Sequence, residues 1–202
     1  MIFHLIIPFK NMALIIDIET NGLPNCSGFS YGKYPNYDDL DKYKSSRIVQ
    51  ISMLLCNKKF ERIELKEFIV KANDFTIDNS RFHGITNEIS SEKGVLFSEV
   101  AEEFLNKLKK VKCIIAHNAN FDITIIKSEL YRVGLHSIID ELKTKRILCS
   151  MKQTKNMVKA KNSYGIKDPS LAELYKFVIK KEIEKTNNVI NLHEIISKLN
   201  NI

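Results

Sequence analysis

The segment Leu14-Ile15-Ile16-Asp17-Ile18-Glu19-Thr20 constrains this chain more than any other. Leu14–Ile18 is a short, β-branched apolar run, which reads as a buried strand. Side chains alternate along a strand, so Asp17 and Glu19 point to one side, their Cα atoms about 7 Å apart. A buried strand that ends in two carboxylates on one face is poor design unless something positive is held there. An edge strand with solvated acids is the structural alternative. The functional one is a divalent cation, because hard ions such as Mg²⁺ prefer carboxylate oxygens.

A second acid stands in a comparable place. Ala116-His117-Asn118-Ala119-Asn120-Phe121-Asp122 joins an expected strand, Cys113–Ala116, to an amphipathic helix over Phe121–Val133. Asp122 falls in the first helical turn, where the helix dipole also favours an acid, so capping alone accounts for it. His117 takes a structural part in such a turn. Further strands are expected at Arg47–Cys56 and Glu61–Val70, with a turn at Asn57-Lys58-Lys59. Phe97–Lys110 carries apolar residues at helical period. Another helix starts near Ser170, and a last one covers about Val189–Leu199. Asp78–Glu92 reads as irregular. Asn21–Ser46 reads as a long loop, rich in tyrosine, with Lys33, Lys42 and Lys44 interleaved. Loops of that length are commonly functional or mobile. Three strands followed by helix, strand and helix give a mixed α/β sheet with helices packed on it.

Composition closes off other classes. In 202 residues, 44% hydrophobic and 27% charged, with 7 Gly and 4 Pro, there is no basis for a disordered or fibrous chain. One domain over residues 12–202 is expected. Residues 1–11 (MIFHLIIPFKN) read as an extension of uncertain role, and either Met1 or Met12 is the start. His4 and Pro8 interrupt the run, no small-residue cleavage site follows, and it is too short to span a bilayer. Cys26, Cys56, Cys113 and Cys149 are widely spaced, without a Cys-x-x-Cys pair. That spacing fits a reducing compartment and an intracellular protein, cytoplasmic or nuclear, with no membrane partner. The net charge of +7 suits a polyanionic partner. Lysine supplies 26 of the 31 positive charges, however, a skew that an AT-rich coding sequence also produces.

Three ordered strings carry a resemblance: Asp-Ile-Glu-Thr-Asn-Gly-Leu-Pro from Asp17, His-Gly-Ile-Thr from His83, and His-Asn-Ala-Asn-Phe-Asp from His117. Together they resemble the DEDD (DnaQ-like) 3′–5′ exonuclease family over Ala13–Tyr175, about four fifths of the chain. Tyr164–Lys167 and Leu171–Tyr175 resemble the segment that leads to the family's last motif. The resemblance implies a ribonuclease H-like fold, a mixed sheet with its first three strands antiparallel and the rest parallel, and helices on both faces. It implies Asp17, Glu19 and Asp122 as ligands of two Mg²⁺ or Mn²⁺ ions. In such a site two ions about 3.5–4 Å apart clamp the scissile phosphate. Thr20, Asn21, Gly22, His83, Ile85, Asn118 and Phe121 would lie about the terminal nucleotide of a single-stranded 3′ end, DNA or RNA. A polymerase or replication partner is implied by the same resemblance; oligomeric state is not.

The last motif departs from the family. The family places a fourth Asp there, with a general-base His five residues earlier, or in a second type Tyr-x-x-x-Asp. If Asn191 takes the Asp place, Thr186 falls where His belongs; if Asn188 takes it, Ile183 does. Tyr164 and Asp168 spell Tyr-x-x-x-Asp but precede the Leu171–Tyr175 helix, a chance match. Glu184 or Glu194 is left as a substitute ligand. Asn for Asp removes a charge, so one ion site is expected to be weakened, and a lost general base costs about 10²–10⁴ in rate. The expected function is therefore a metal-dependent 3′–5′ exonuclease of reduced activity. The alternative is an inactive relative that binds nucleic acid or a protein partner.

Overall fold

The computed structural model describes residues 11–183 and 187–200, which leaves most of the amino-terminal extension, Glu184 and Thr186 outside the described residues. Its main sheet has five strands: β1 (Ala13–Thr20), β2 (Ile48–Cys56), β3 (Arg62–Ile69), β4 (Cys113–Ala116) and β5 (Arg146–Cys149). Their order is β3-β2-β1-β4-β5. β1, β2 and β3 pair antiparallel, and β4 runs parallel to both β1 and β5. This is the mixed ribonuclease H-like sheet.

The alternation of β1 sorts the helices. Leu14, Ile16 and Ile18 face a core built with α3 (Phe97–Leu108), α4 (Ala119–Arg132) and α5 (His136–Lys143), through residues such as Phe104, Ile126 and Ile139. Ala13 and Ile15 face the other side, where Val189, Leu192 and Ile196 of α8 (Asn188–Asn200) close a second core. Asp17 and Glu19 share the parity of Ala13 and Ile15, so they belong to the face that α8 covers. β1 runs two residues beyond its apolar run because pairing with β2 continues through Glu19↔Gln50 and, past a bulge, Thr20↔Ile48. Pairing with β4 stops at Ile15↔Ile115. The acidic end of β1 therefore outruns its parallel neighbour.

Several segments differ from their sequence reading. The supposedly irregular Asp78–Glu92 holds α1 (Ser80–His83) and α2 (Asn87–Lys93), the second capped by Thr86, whose hydroxyl accepts from the Ile89 amide. Between α4 and Ser170 lie α5, β5, α6 (Ser150–Val158) and a hairpin of β6 (Lys161–Asn162) and β7 (Gly165–Ile166). β5 is four residues long, and α6 puts lysines at Lys152 and Lys155, so neither shows a strong apolar period. α7 (Leu171–Ile179) starts where expected, with a capping box between Ser170 and Glu173. The tyrosine-rich loop is fastened down. Tyr43 is fully buried and its hydroxyl donates to the Pro35 carbonyl at 2.6 Å, while Tyr37 meets Tyr131 edge-on.

One buried ionic network ties the site's supports together. Arg47, just ahead of β2, donates from Nε and Nη2 to both Glu129 oxygens of α4, at 2.6 and 3.2 Å. Its two Nη atoms also reach Asp74 at 2.9 and 3.1 Å, and Phe75 lies under the guanidinium. Arg47 and Glu129 side chains are 9% and 4% exposed, so neither charge has water to replace a lost partner. Arg47→Ala is expected to lower stability by about 3–5 kcal/mol, read as a fall in the urea midpoint, because Glu129 stays buried and unpaired. A loss below about 1 kcal/mol would mean that Arg132, 3.9 Å away, takes over.

Candidate active site

The turn between β4 and α4 delivers Asp122 to the open edge of β1. Asn118 makes this possible by adopting a left-handed backbone (φ 67°), which asparagine tolerates better than most residues. His117 fixes the turn from behind. Its Nε2 must donate to the Pro169 carbonyl at 3.0 Å, so Nδ1 is left to accept from the Ser150 hydroxyl at 2.9 Å. Burial lowers the His117 pKa against the opposing carbonyl, and the ring serves as a neutral bracket.

Asp17, Glu19 and Asp122 then feel one another. Burial, and next the charge of Glu19, push Asp17 up to about 7, while an amide hydrogen from Asn188 pulls it down. Asp122 is raised well above the usual carboxylate range, first by burial and then by Asp17, against backbone hydrogen bonds at Asp122 and Ile18. Burial raises Glu19 as well. Among the described residues none of the three forms an ion pair, and Asp122 Oδ2 is buried without a hydrogen-bond partner. A carboxylate oxygen orphaned beside a second, half-buried acid is what a hard divalent cation would satisfy, and the donor set is all oxygen. The described residues hold no group of three His, Cys, Asp or Glu that could hold a metal ion as they stand. The donors fit the ion in kind and charge, and ligation would require the third carboxylate to be drawn in.

The two placements of the last motif fall at different points of α8. Asn188 Nδ2 donates to Asp17 Oδ2 at 3.2 Å, so Asn188 occupies the position facing the acids. Asn191 is buried deeper along the helix, and Ile183 packs on the apolar cluster of Leu174, Tyr175 and Ile195. Thr186 and Glu184 lie outside the described residues. Glu194 accepts from the Tyr175 hydroxyl at 2.8 Å. Asp168 is clasped by Lys152 at 2.6 Å and Lys155 at 3.2 Å, while Tyr164 is 97% exposed, so this pair forms no second-type motif. Asn187 caps α8 through Val189 and its amide reaches Ser52 and Glu67, in the row of β2 and β3 beside Asp17.

The other candidate positions divide. Thr20 bonds the Gly22 carbonyl, and a Cβ on Gly22 would lie 2.9 Å from the Ser45 carbonyl oxygen, so the strand exit needs glycine. Asn21 is buried, its side chain spent on backbone groups of Thr76, Asp78 and Asn79. Ile85 packs with Val49 and Ile77. His83 accepts from the Ile85 amide, and its buried Nε2 has no partner among the described residues. Asn118 and Phe121 share a wall with Tyr34, whose ring meets Phe121 edge-on at 5.9 Å and whose hydroxyl is 3.5 Å from Asn118 Nδ2. Burial raises the Tyr34 pKa, with the charge of Asp122 a smaller cause, and the sequence offered no signal that separated Tyr34 from the other loop tyrosines.

This chain belongs to the DnaQ-like 3′–5′ exonuclease family: the RNase T-type exonuclease model matches residues 14–194. Among its relatives, DNA polymerase III subunit epsilon of Buchnera aphidicola subsp. Schizaphis graminum is 29% identical over 144 residues, 67% of this chain and 55% of the relative. The chain thus spans about half the length of that relative. The product-bound structure of exonuclease I shares the fold with a TM-score of 0.72 at 17% identity, over 95% of this chain and 44% of that one. Exonuclease I of E. coli in complex with a dA16 oligonucleotide gives 0.69 at 18% identity, over 94% and 40%.

The folded-state pKa values of Asp17 and Asp122 are both raised, so the stability their protonated forms contribute is full below the unfolded value near 3.8. The share of Asp17 is lost as pH rises through about 7, and that of Asp122 is lost in the same direction. In EDTA at pH 8, Asp122→Asn is expected to be more stable than the wild type by on the order of 2 kcal/mol, with the gap closing towards pH 4. Thermal unfolding at the two pH values checks this, and an unchanged or lower midpoint at pH 8 would refute the charge repulsion.

Proposed function

We propose that this protein is a metal-dependent 3′–5′ exonuclease that hydrolyses phosphodiester bonds at the single-stranded 3′ end of DNA or RNA. The observation that carries the reading is the unneutralised acid group at the end of β1, where Asp17 and Asp122 repel and Asp122 keeps an orphaned oxygen. Asp17, Glu19 and Asp122 would hold Mg²⁺ or Mn²⁺, two ions in the full form of the site. When bound, the ions supply an acidified water and charge stabilisation at the phosphate. The chain's own groups do the rest. Asp17 takes the central place, facing both Asp122 and α8. The wall of Tyr34, Asn118 and Phe121 offers the terminal nucleotide an aromatic edge and an amide. The +7 charge supports attraction to phosphates.

Asn188 makes this a weakened member. In place of a fourth carboxylate it presents an amide hydrogen to Asp17, which relieves repulsion but offers a cation less charge. Ile183, in the general-base place, has no proton to move. The same two residues favour the second reading, a relative that binds nucleic acid or a protein partner without cutting. The likeness to an epsilon subunit supports a replication polymerase as that partner. No helix among the described residues is long and apolar enough to cross a membrane, and the four cysteines are free thiols, which supports our placing the protein in the cell interior, cytoplasm or nucleus.

Purified protein with Mn²⁺ or Mg²⁺ is expected to release mononucleotides from the 3′ end of a 5′-labelled oligonucleotide, and Asp17→Ala to abolish release. An intact substrate that is nonetheless shifted on a gel hands the protein to the second reading. Asn188→Asp is expected to tighten Mn²⁺ binding about tenfold or more by calorimetry and to lower the pH 8 stability of the metal-free protein, since both effects follow from one added charge. Unaltered Mn²⁺ affinity would show that Asn188 does not face the cation.

A further inference from the structure

A groove of about 690 Å³ opens beside the β4–α4 turn. It is lined by the tip of the tyrosine-rich loop at Tyr31 and by the β6–β7 hairpin with Tyr164 at its turn. His117 and Asn118 line it as well, so it reaches the turn before the helix that carries Asp122. The loop tip is pinned there: Asn120 Nδ2 donates to the Gly32 carbonyl at 2.9 Å. Tyr31 and Tyr164 are 86% and 97% exposed, two large aromatic rings left in water on the lining of one groove. Single exposed aromatics are ordinary, but two on one groove are not needed by the fold.

Charge points the same way. Residues 150–169 hold five lysines and one acid, +4 of the chain's +7. That acid, Asp168, has a side chain 3% exposed and pairs with both Lys152 and Lys155, which line the groove with about half their side-chain surface open. Lys152 also lies 5.9 Å over the Tyr31 ring. Positioned cations beside exposed aromatic rings are the pattern of a single-strand binding track, phosphates on the lysines and bases on the rings. An acidic peptide would use the lysines but leave both tyrosines without work.

We propose that this groove carries the single-stranded stretch of nucleic acid that leads into the acidic site, with bases stacked on Tyr31 and Tyr164. The proposal rests on the nuclease reading for direction only. Its test is binding in EDTA, by fluorescence anisotropy, of 5′-fluorescein oligothymidylates of about 4 and about 12 nucleotides. Tyr31→Ala/Tyr164→Ala removes two exposed side chains and should fold normally. It is expected to weaken the longer oligonucleotide about 5–100-fold and leave the shorter one within about twofold. Lys152→Gln, which leaves Lys155 on Asp168, should reduce the salt slope by about 0.7. Equal binding of both lengths, or a double variant indistinguishable from wild type, overturns the groove. Cleavage in Mn²⁺ separates the two ideas. Tyrosine-dependent binding without cleavage keeps the groove and removes the nuclease; cleavage with no tyrosine dependence does the reverse. Binding of polyglutamate but of neither oligonucleotide assigns the groove to a protein partner and overturns the proposal.

Discussion

Like charge gathered at the end of β1, without a basic side chain paired to it among the described residues, is the constraint that the surrounding structure serves. Asp17 and Asp122 are raised by their own burial and by each other. Such an arrangement relaxes by moving apart unless it is held from several directions. β1 is held by β2 along its full length, α4 is held to the start of β2 by the Arg47–Glu129 pair, and the turn before α4 is bracketed by His117. Asn21, at the exit of β1, ties the strand to Thr76–Asn79. These contacts are polar, buried and specific. They surround the acids and, among the described residues, put no opposite charge on them.

Much of this was legible from the residues. The apolar run Leu14–Ile18 with acids at its end, the helical period from Phe97 and the short run Cys113–Ala116 each state their element directly. Period-two alternation alone assigned Asp17 and Glu19 to one face. What stayed hidden was either short or polar. β5 is four residues whose first, Arg146, is exposed, and α6 is dominated by side chains that suit water. α1 and α2 are too brief to show a period. Asn21 resembles a ligand-facing residue in one dimension, yet in space its amide is consumed by backbone groups. Tyr34 and Tyr31 look alike in the loop, and only packing distinguishes the ring against Phe121 from the ring in solvent.

The choice between Asn188 and Asn191 shows why letters alone could not finish the site. Both give an Asn in place of the expected Asp, three residues apart on one helix. The helix periodicity puts Asn191 among the buried residues that seat α8, whereas Asn188 opens the helix next to Asp17. Geometry also shows what the exchange accomplishes: the amide gives Asp17 a donor that a carboxylate could not.

α8 is seated on the sheet by Val189, Leu192 and Ile196, none of which takes part in chemistry. The residue that faces the acids hangs at its first turn and contributes nothing to that seat. Seat and acid-facing position are thus written in separate letters, so position 188 is free to vary while the helix keeps its grip on the sheet.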